Sequence, residues 1–288
     1  MTLHARFGLR HLPLPKDCGG TTFYEGGEQY LRLARVFGWL TAEPGIAVLT
    51  GESGVGKTAA LRNLCNALPR PEHKVVYLCD TGVTALDVYR ALAAALGLRP
   101  AYRRGQLIAD LKRAIVHLVD DLSQVPVLVI DEAQHLSDEF LHDLASFVNF
   151  DFDSRDYLTL WLVGLPSLLR RLRMQHYAAL ARRVVSWNHL SPRIDRDDFK
   201  AMIEHGLTAA GTNQRVLADP AMELLFRASR GIPRVAANLL RSALVIASHR
   251  DQSFVDETVM HDAIVALSPE PASLTAPKSR EKPGAKSR

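Results

Sequence analysis

The sequence predicts an α/β fold, a parallel sheet with helices on both faces, followed by a small all-helical domain. Three observations carry this. A glycine-rich loop joins the short apolar run Ile46 to Thr50 to the helically spaced stretch Lys57 to Ala67. Further short apolar runs alternate with helical patterns, as strands buried on both faces of a parallel sheet do. After Pro192 no strand pattern recurs. A chain of 288 residues suits a main body plus a smaller unit, since domains run to roughly 100–200 residues.

Taken in order, residues 1–27 form an N-terminal segment and residues 28–192 the main α/β domain. Tyr30, Leu31, Leu33, Ala34, Phe37 and Leu40 recur at helical spacing over Glu28 to Leu40, and Pro44-Gly45 turns the chain. Ile46 to Thr50 is the first strand, Lys74 to Asp80 the second, Val125 to Ile130 the third, Leu158 to Val163 the fourth and Val184 to Leu190 the fifth. Helical patterns intervene at Lys57 to Ala67, Thr84 to Leu96, Gln106 to Leu122 and Ser137 to Phe150, with Ser137 as N-cap. Residues 193–267 hold four more helical stretches, Asp195 to Ala210, Asp219 to Ser229, Pro233 to His249 and Asp256 to Leu267. From 268 to 288 Pro, Ser, Ala and Lys dominate without apolar periodicity, so a disordered basic tail is expected.

Gly51-Glu52-Ser53-Gly54-Val55-Gly56-Lys57-Thr58 fits G-x-x-x-x-G-K-[ST], and it lies between a strand and a helix as its mechanism requires. Such a loop turns successive backbone N–H groups toward phosphates, with glycine wherever a side chain would block the approach. The following helix adds the positive end of its dipole. Lys57 then reaches the β- and γ-phosphates, and the Thr58 hydroxyl sits on Mg²⁺. The third strand delivers Asp131 and Glu132 at its carboxyl end, where parallel sheets bind ligands. Asp131 is expected to hold the metal and Glu132 to polarise the attacking water as general base.

With a helical domain behind them, these motifs make the chain resemble an AAA+ ATPase, which implies a P-loop NTPase parallel sheet, a helical lid, ATP and Mg²⁺. Phe7-Gly8-Leu9-Arg10, Asp131-Glu132-Ala133-Gln134-His135-Leu136, Val163-Gly164-Leu165-Pro166 and Gly231-Ile232-Pro233-Arg234 are similar to the ExeA-like group, which includes DNA-transposition regulators of the TnsC, TniB and MuB kind. The resemblance implies that Arg234 reaches from the lid to the γ-phosphate, and that Arg183, or its neighbour Arg182, is an arginine finger entering an adjacent subunit. Tyr24 and Phe23 stand where such proteins form the adenine pocket, or else pack in the core. One departure is plain. The polar sensor residue expected near the end of the fourth strand is missing from Trp161-Leu162-Val163-Gly164-Leu165, which implies slow hydrolysis, partner-stimulated hydrolysis or a water positioned from elsewhere.

The net charge of +4 sits largely in the tail; positions 1–267 hold 30 basic and 29 acidic residues. Any nucleic-acid contact must therefore be local. Arg99, Arg103, Arg104, Lys112 and Arg113 cluster around Tyr102 with one acid, Asp110. If all five engaged duplex DNA, the salt slope would be about −4.5. The resemblance makes Arg103, Arg104 and Lys112 the expected sequence-tolerant contacts of a homo-oligomer, ring or helical filament, that recruits a transposase. A secretion-associated ATPase and a helicase- or clamp-loader-type ATPase are the alternatives. Cys18, Cys65 and Cys79 have no metal-site spacing and read as reduced, buried thiols. No apolar run approaches the roughly 18 residues of a membrane span, and the N-terminus lacks a signal-peptide core, so a cytoplasmic location without a membrane partner is expected.

Overall fold

A computed structural model describes residues 3–79, 82–192 and 194–267; the expected basic tail lies outside the described residues. In chain order come α1 (Leu3–Phe7), α2 (Glu28–Ala42), β1 (Ile46–Gly51), α3 (Lys57–Ala67), β2 (His73–Leu78), α4 (Ala85–Ala95), α5 (Arg104–Asp120) and β3 (Val125–Ile130). Then follow α6 (Asp138–Phe147), β4 (Thr159–Gly164), α7 (Pro166–Leu172), α8 (Ala178–Arg183), β5 (Val184–Leu190), α9 (Arg196–Ala209), α10 (Asp219–Ser229), α11 (Pro233–His249) and α12 (Glu257–Leu267). The sheet is parallel throughout, in the order β2-β3-β4-β1-β5.

Alternate residues of the central strands feed two cores, because successive side chains of a strand point to opposite faces. Ile46, Val48, Leu128, Ile130, Leu160 and Leu162 meet Val88 and Tyr89 of α4, Leu111 of α5, Leu144 of α6 and Leu168 of α7. On the other face Ala47, Leu49, Val127, Val129 and Trp161 meet Leu33, Phe37 and Leu40 of α2 and Ala60 and Leu61 of α3. Burial on both faces was the expectation for every strand, and the edge strands depart from it. Val75 and Tyr77 of β2 are 37% and 50% exposed, and Val185 and Trp187 of β5 are 51% and 42% exposed. The covering helices lie over the middle of the sheet, and each edge strand has a ladder partner on one side only.

Helices α9 to α12 share a separate core around Phe199, Leu225, Leu240, Leu244 and Met260. Phe7 and Leu9 are buried in that same core, and the Arg10 amide donates to the Ala210 carbonyl at 2.6 Å. The start of the chain thus packs on the helical domain. Farther on, the amide of Gly20 donates to Asn63 Oδ1 (2.8 Å), and Asn63 Nδ2 donates to Glu25 (2.7 Å) and Tyr30 (2.8 Å). This buried asparagine of α3 fastens the N-terminal segment beside the sheet.

Candidate nucleotide-binding site

The loop from Gly51 to Thr58 leaves β1 and enters α3, as the motif requires. Gly54 (φ +86°) and Gly56 (φ +100°) adopt the left-handed region that favours glycine, which is what lets the loop curl. Lys57 is buried, and its Nζ donates to the carbonyls of Gly51 (2.8 Å) and Glu52 (3.0 Å). Burial pushes the Lys57 ammonium down from its ordinary pKa, while the nearby Glu132, Asp131 and Glu52 carboxylates oppose that. Val55 packs into the core beneath, and Glu52 and Ser53 are exposed.

Asp131 is 3% exposed at the end of β3. Its Oδ2 accepts from the Thr58 hydroxyl at 2.5 Å and from the Tyr77 hydroxyl at 3.1 Å, and its Oδ1 accepts from the Glu132 amide at 2.8 Å. Thr58 and Asp131 together offer hard oxygen donors of the kind Mg²⁺ takes, and Mg²⁺ needs only one or two protein groups beside phosphate and water. Among the described residues no cluster of three or more His, Cys, Asp or Glu could hold a metal alone. The donor set therefore fits a magnesium–triphosphate pair. Tyr77 carried no motif signal; its phenol pKa is raised, chiefly by burial and then by the Asp131 charge.

Glu132 follows in the left-handed region (φ 52°, ψ 33°), a strained setting of the kind that collects at functional sites. Gln134, in the 3₁₀ turn Ala133–His135, donates from Nε2 to Glu132 Oε2 at 2.6 Å and accepts the Leu165 amide on Oε1 at 3.0 Å. The turn is pinned from α7 by Arg171, whose Nη1 donates to the carbonyls of Gln134 (3.2 Å) and Leu136 (2.6 Å).

Gly-Ile-Pro-Arg lands on the phosphate loop. The Arg234 amide donates to the Gly54 carbonyl at 3.2 Å, and a Cβ on Gly54 would lie 2.9 Å from Arg234 Cβ and 3.2 Å from Ile232 Cγ2. Arg234 is close enough for its charge to depress the Lys57 pKa further. Tyr24 packs on the helical domain, with its ring 5.8 Å from that of His205, while Phe23 packs beside Tyr30 under the sheet.

Three expected roles meet competing contacts. Arg104 is ion-paired with Glu139 (3.0 Å) and Asp143, which ties α5 to α6. Lys112 donates to the carbonyls of Ser146 (3.0 Å) and Asn149 (2.7 Å) and lies 5.1 Å over the Phe150 ring, capping the end of α6. Both side chains, expected to meet DNA, are thus engaged with α6 and the turn after it, and a DNA contact would have to compete with these partners. Arg113 pairs with Asp110 of its own helix and stays exposed, and Arg99 and Arg103 are exposed on either side of the 89% exposed Tyr102. Arg183 is paired with Asp153, whereas Arg182 is exposed. Of the cysteines, Cys79 is exposed, contrary to the expectation of buried thiols.

Residues 41–172 match the family described as AAA domain. The chain is 31% identical over 247 residues to general secretion pathway protein A of Aeromonas hydrophila, a match that takes in 85% of this chain and spans 44% of that protein. Among solved structures it is similar to Cdc6p of Pyrobaculum aerophilum, with TM-score 0.64 and 18% identity over 88% of this chain and 68% of that one. It is also similar to the Aeropyrum pernix ORC1 protein solved in complex with DNA, with TM-score 0.58 and 19% identity over 88% of this chain and 66% of that one. The fold is that of an AAA+ P-loop NTPase with a helical C-terminal part. No described helix is long and apolar enough to cross a membrane.

Proposed function

We propose that this chain is an ATPase whose nucleotide state sets the angle of its helical domain, and that it works as a homo-oligomer on duplex DNA, where it recruits or activates a transposase. The observation that carries the first half is the meeting of Thr58 with Asp131 beneath a loop on which Arg234 rests. Backbone N–H groups around Gly54 and Gly56 and the Lys57 ammonium hold the phosphates of ATP. Thr58 and Asp131 hold Mg²⁺, which when bound neutralises charge on the phosphoryl oxygens. Glu132 accepts a proton from the attacking water, a contribution of roughly 10²–10⁴ in rate. Arg234 ties the phosphates to the helical domain, so loss of the terminal phosphate releases that domain, and Tyr24 borders the base.

Oligomerisation brings Arg183 or Arg182 to a neighbour's phosphates. The surface pair of Arg183 with Asp153, half exposed on the aspartate side, is worth about 0–1 kcal/mol and is easily exchanged for such a contact. DNA is supported by the exposed Arg99–Tyr102–Arg103 loop and by the DNA-bound ORC1 neighbour. With two cations engaged rather than five, the salt slope is about −1.8. The second reading, a secretion-associated ATPase, is favoured by the 31% identity to the secretion-pathway relative.

ATP turnover by the purified chain, with and without duplex DNA over a salt series, tests both. Turnover stimulated by DNA and lost in Glu132→Gln is expected, with Mg-ATP binding lost in Lys57→Ala. Turnover indifferent to DNA favours the secretion reading, and the absence of any Mg-ATP binding heat removes the site assignment itself.

A further inference from the structure

We propose that Gln134 is the positioning residue for Glu132, and that it replaces the polar side chain missing from the end of β4. This rests on the ATPase reading and deepens it. β4 ends in Val163 and Gly164, with Leu165 and Pro166 following, so the strand itself offers only main-chain groups to the site. Gln134 fills that place from the neighbouring strand's loop. The Leu165 amide can only donate, so its 3.0 Å contact assigns the acceptor Oε1 to that side and turns the NH₂ toward Glu132. From there Nε2 donates to Glu132 Oε2 at 2.6 Å. One amide thus bridges the carboxylate to the junction of β4 with α7.

Gly164 is the counterpart. A Cβ on it would fall 2.4 Å from Gln134 Oε1 and 3.2 Å from Leu168 Cδ2. Its φ lies outside the left-handed region, so the backbone itself would accept alanine; what glycine supplies is room for the Gln134 side chain. Arg171 holds the other end, since it reaches from α7 to the carbonyls of Gln134 and Leu136. The orientation of Glu132 is therefore tied to α7, and a shift of α7 re-aims the carboxylate. Misplacement of a reacting group by about 1 Å can cost on the order of 10² in rate.

The test compares wild type with Gln134→Ala, Gln134→Glu, Gly164→Ala and the Gln134→Ala/Gly164→Ala double variant. Dissociation constants for Mg-ATP and turnover are measured separately. The expected result is a kcat lower by roughly 10- to 100-fold in each single variant with ATP affinity within about twofold, and a double variant no worse than Gln134→Ala alone. Gln134→Glu keeps the acceptor for Leu165 and removes the donor to Glu132, so it should fall with the others. Unchanged kcat, or kcat and affinity lost together, overturns the proposal, as does a double variant in which the two losses multiply. A second readout needs no turnover: the Gln134 side-chain amide resonance, assigned by its loss in Gln134→Ala. It should be displaced from the exposed-glutamine position and moved by Glu132→Gln and by Gly164→Ala. If wild type shows no turnover, the ATPase reading fails while this resonance still decides the clamp; an amide at the exposed position, or one unmoved by both substitutions, overturns it.

Discussion

Gly54→Ala tests whether the helical domain rests on the phosphate loop. The substitution costs stability twice. At φ +86° an alanine is strained, by about 1–2 kcal/mol. Its methyl would also stand 2.9 Å from Arg234 Cβ and 3.2 Å from Ile232 Cγ2, and such overpacking costs about 1–3 kcal/mol. A loss of roughly 2–5 kcal/mol follows, read by urea unfolding, with weaker Mg-ATP binding because Arg234 is displaced. The two terms separate in a double-mutant cycle. Arg234→Gly removes the nearer opposing atom, the Arg234 Cβ, and leaves Ile232 Cγ2 in place, so it should recover much of the overpacking part, a coupling of about 1–2 kcal/mol. Arg234→Ala keeps that Cβ and should recover none of it. If Gly54→Ala and Arg234→Gly add within about 0.5 kcal/mol, the α11 terminus does not touch the loop in solution, and the coupling of nucleotide to domain angle loses its basis.

Burial pushes the Cys65 thiol up to about 12, whereas Cys79 is exposed; iodoacetamide at pH 8 should label Cys79 first and Cys65 only on unfolding, and early labelling of Cys65 would show that α3 is not packed as described. Lys112→Met should cost about 1–2 kcal/mol in urea unfolding through the two lost carbonyl contacts and leave DNA affinity within twofold, while Arg103→Ala lowers the salt slope by about 0.9; the reverse pattern would show Lys112 to be the DNA contact. The Asp138 carboxyl is held below its ordinary value of 3.8 by hydrogen bonds from Tyr177 and Arg171. Its contribution is therefore full above that ordinary value and is lost as pH falls through the folded-state value, so Asp138→Asn should flatten the acid limb of a stability–pH curve. An unchanged acid limb would show the trio to be unformed in solution.

What sequence alone determined is the part of the molecule encoded by short-range pattern. Apolar runs of strand length, alternating with helical spacing, specify the five strands to within a residue or two, because the three central strands are buried on both faces and the two edge strands still bury part of their residues. The loop at Gly51 to Thr58 and the pair Asp131 and Glu132 were legible because the backbone that uses them is local: glycines at the left-handed positions, and acids one step past a strand. Short helices such as α7 and α8 leave no pattern in the sequence, because one or two turns carry no measurable period. Tertiary structure alone decided the partners of long side chains. Arg104 and Lys112 read as free cations until α6 brought Glu139, Asp143 and the Ser146 and Asn149 carbonyls against them. Gln134 read as one residue of a motif until the pairing of β3 with β4 set Leu165 and Gly164 beside it. The reason is physical: spacing along a chain governs which residues share a face, but the reach of an arginine or glutamine spans elements, and its partner is chosen by how those elements pack.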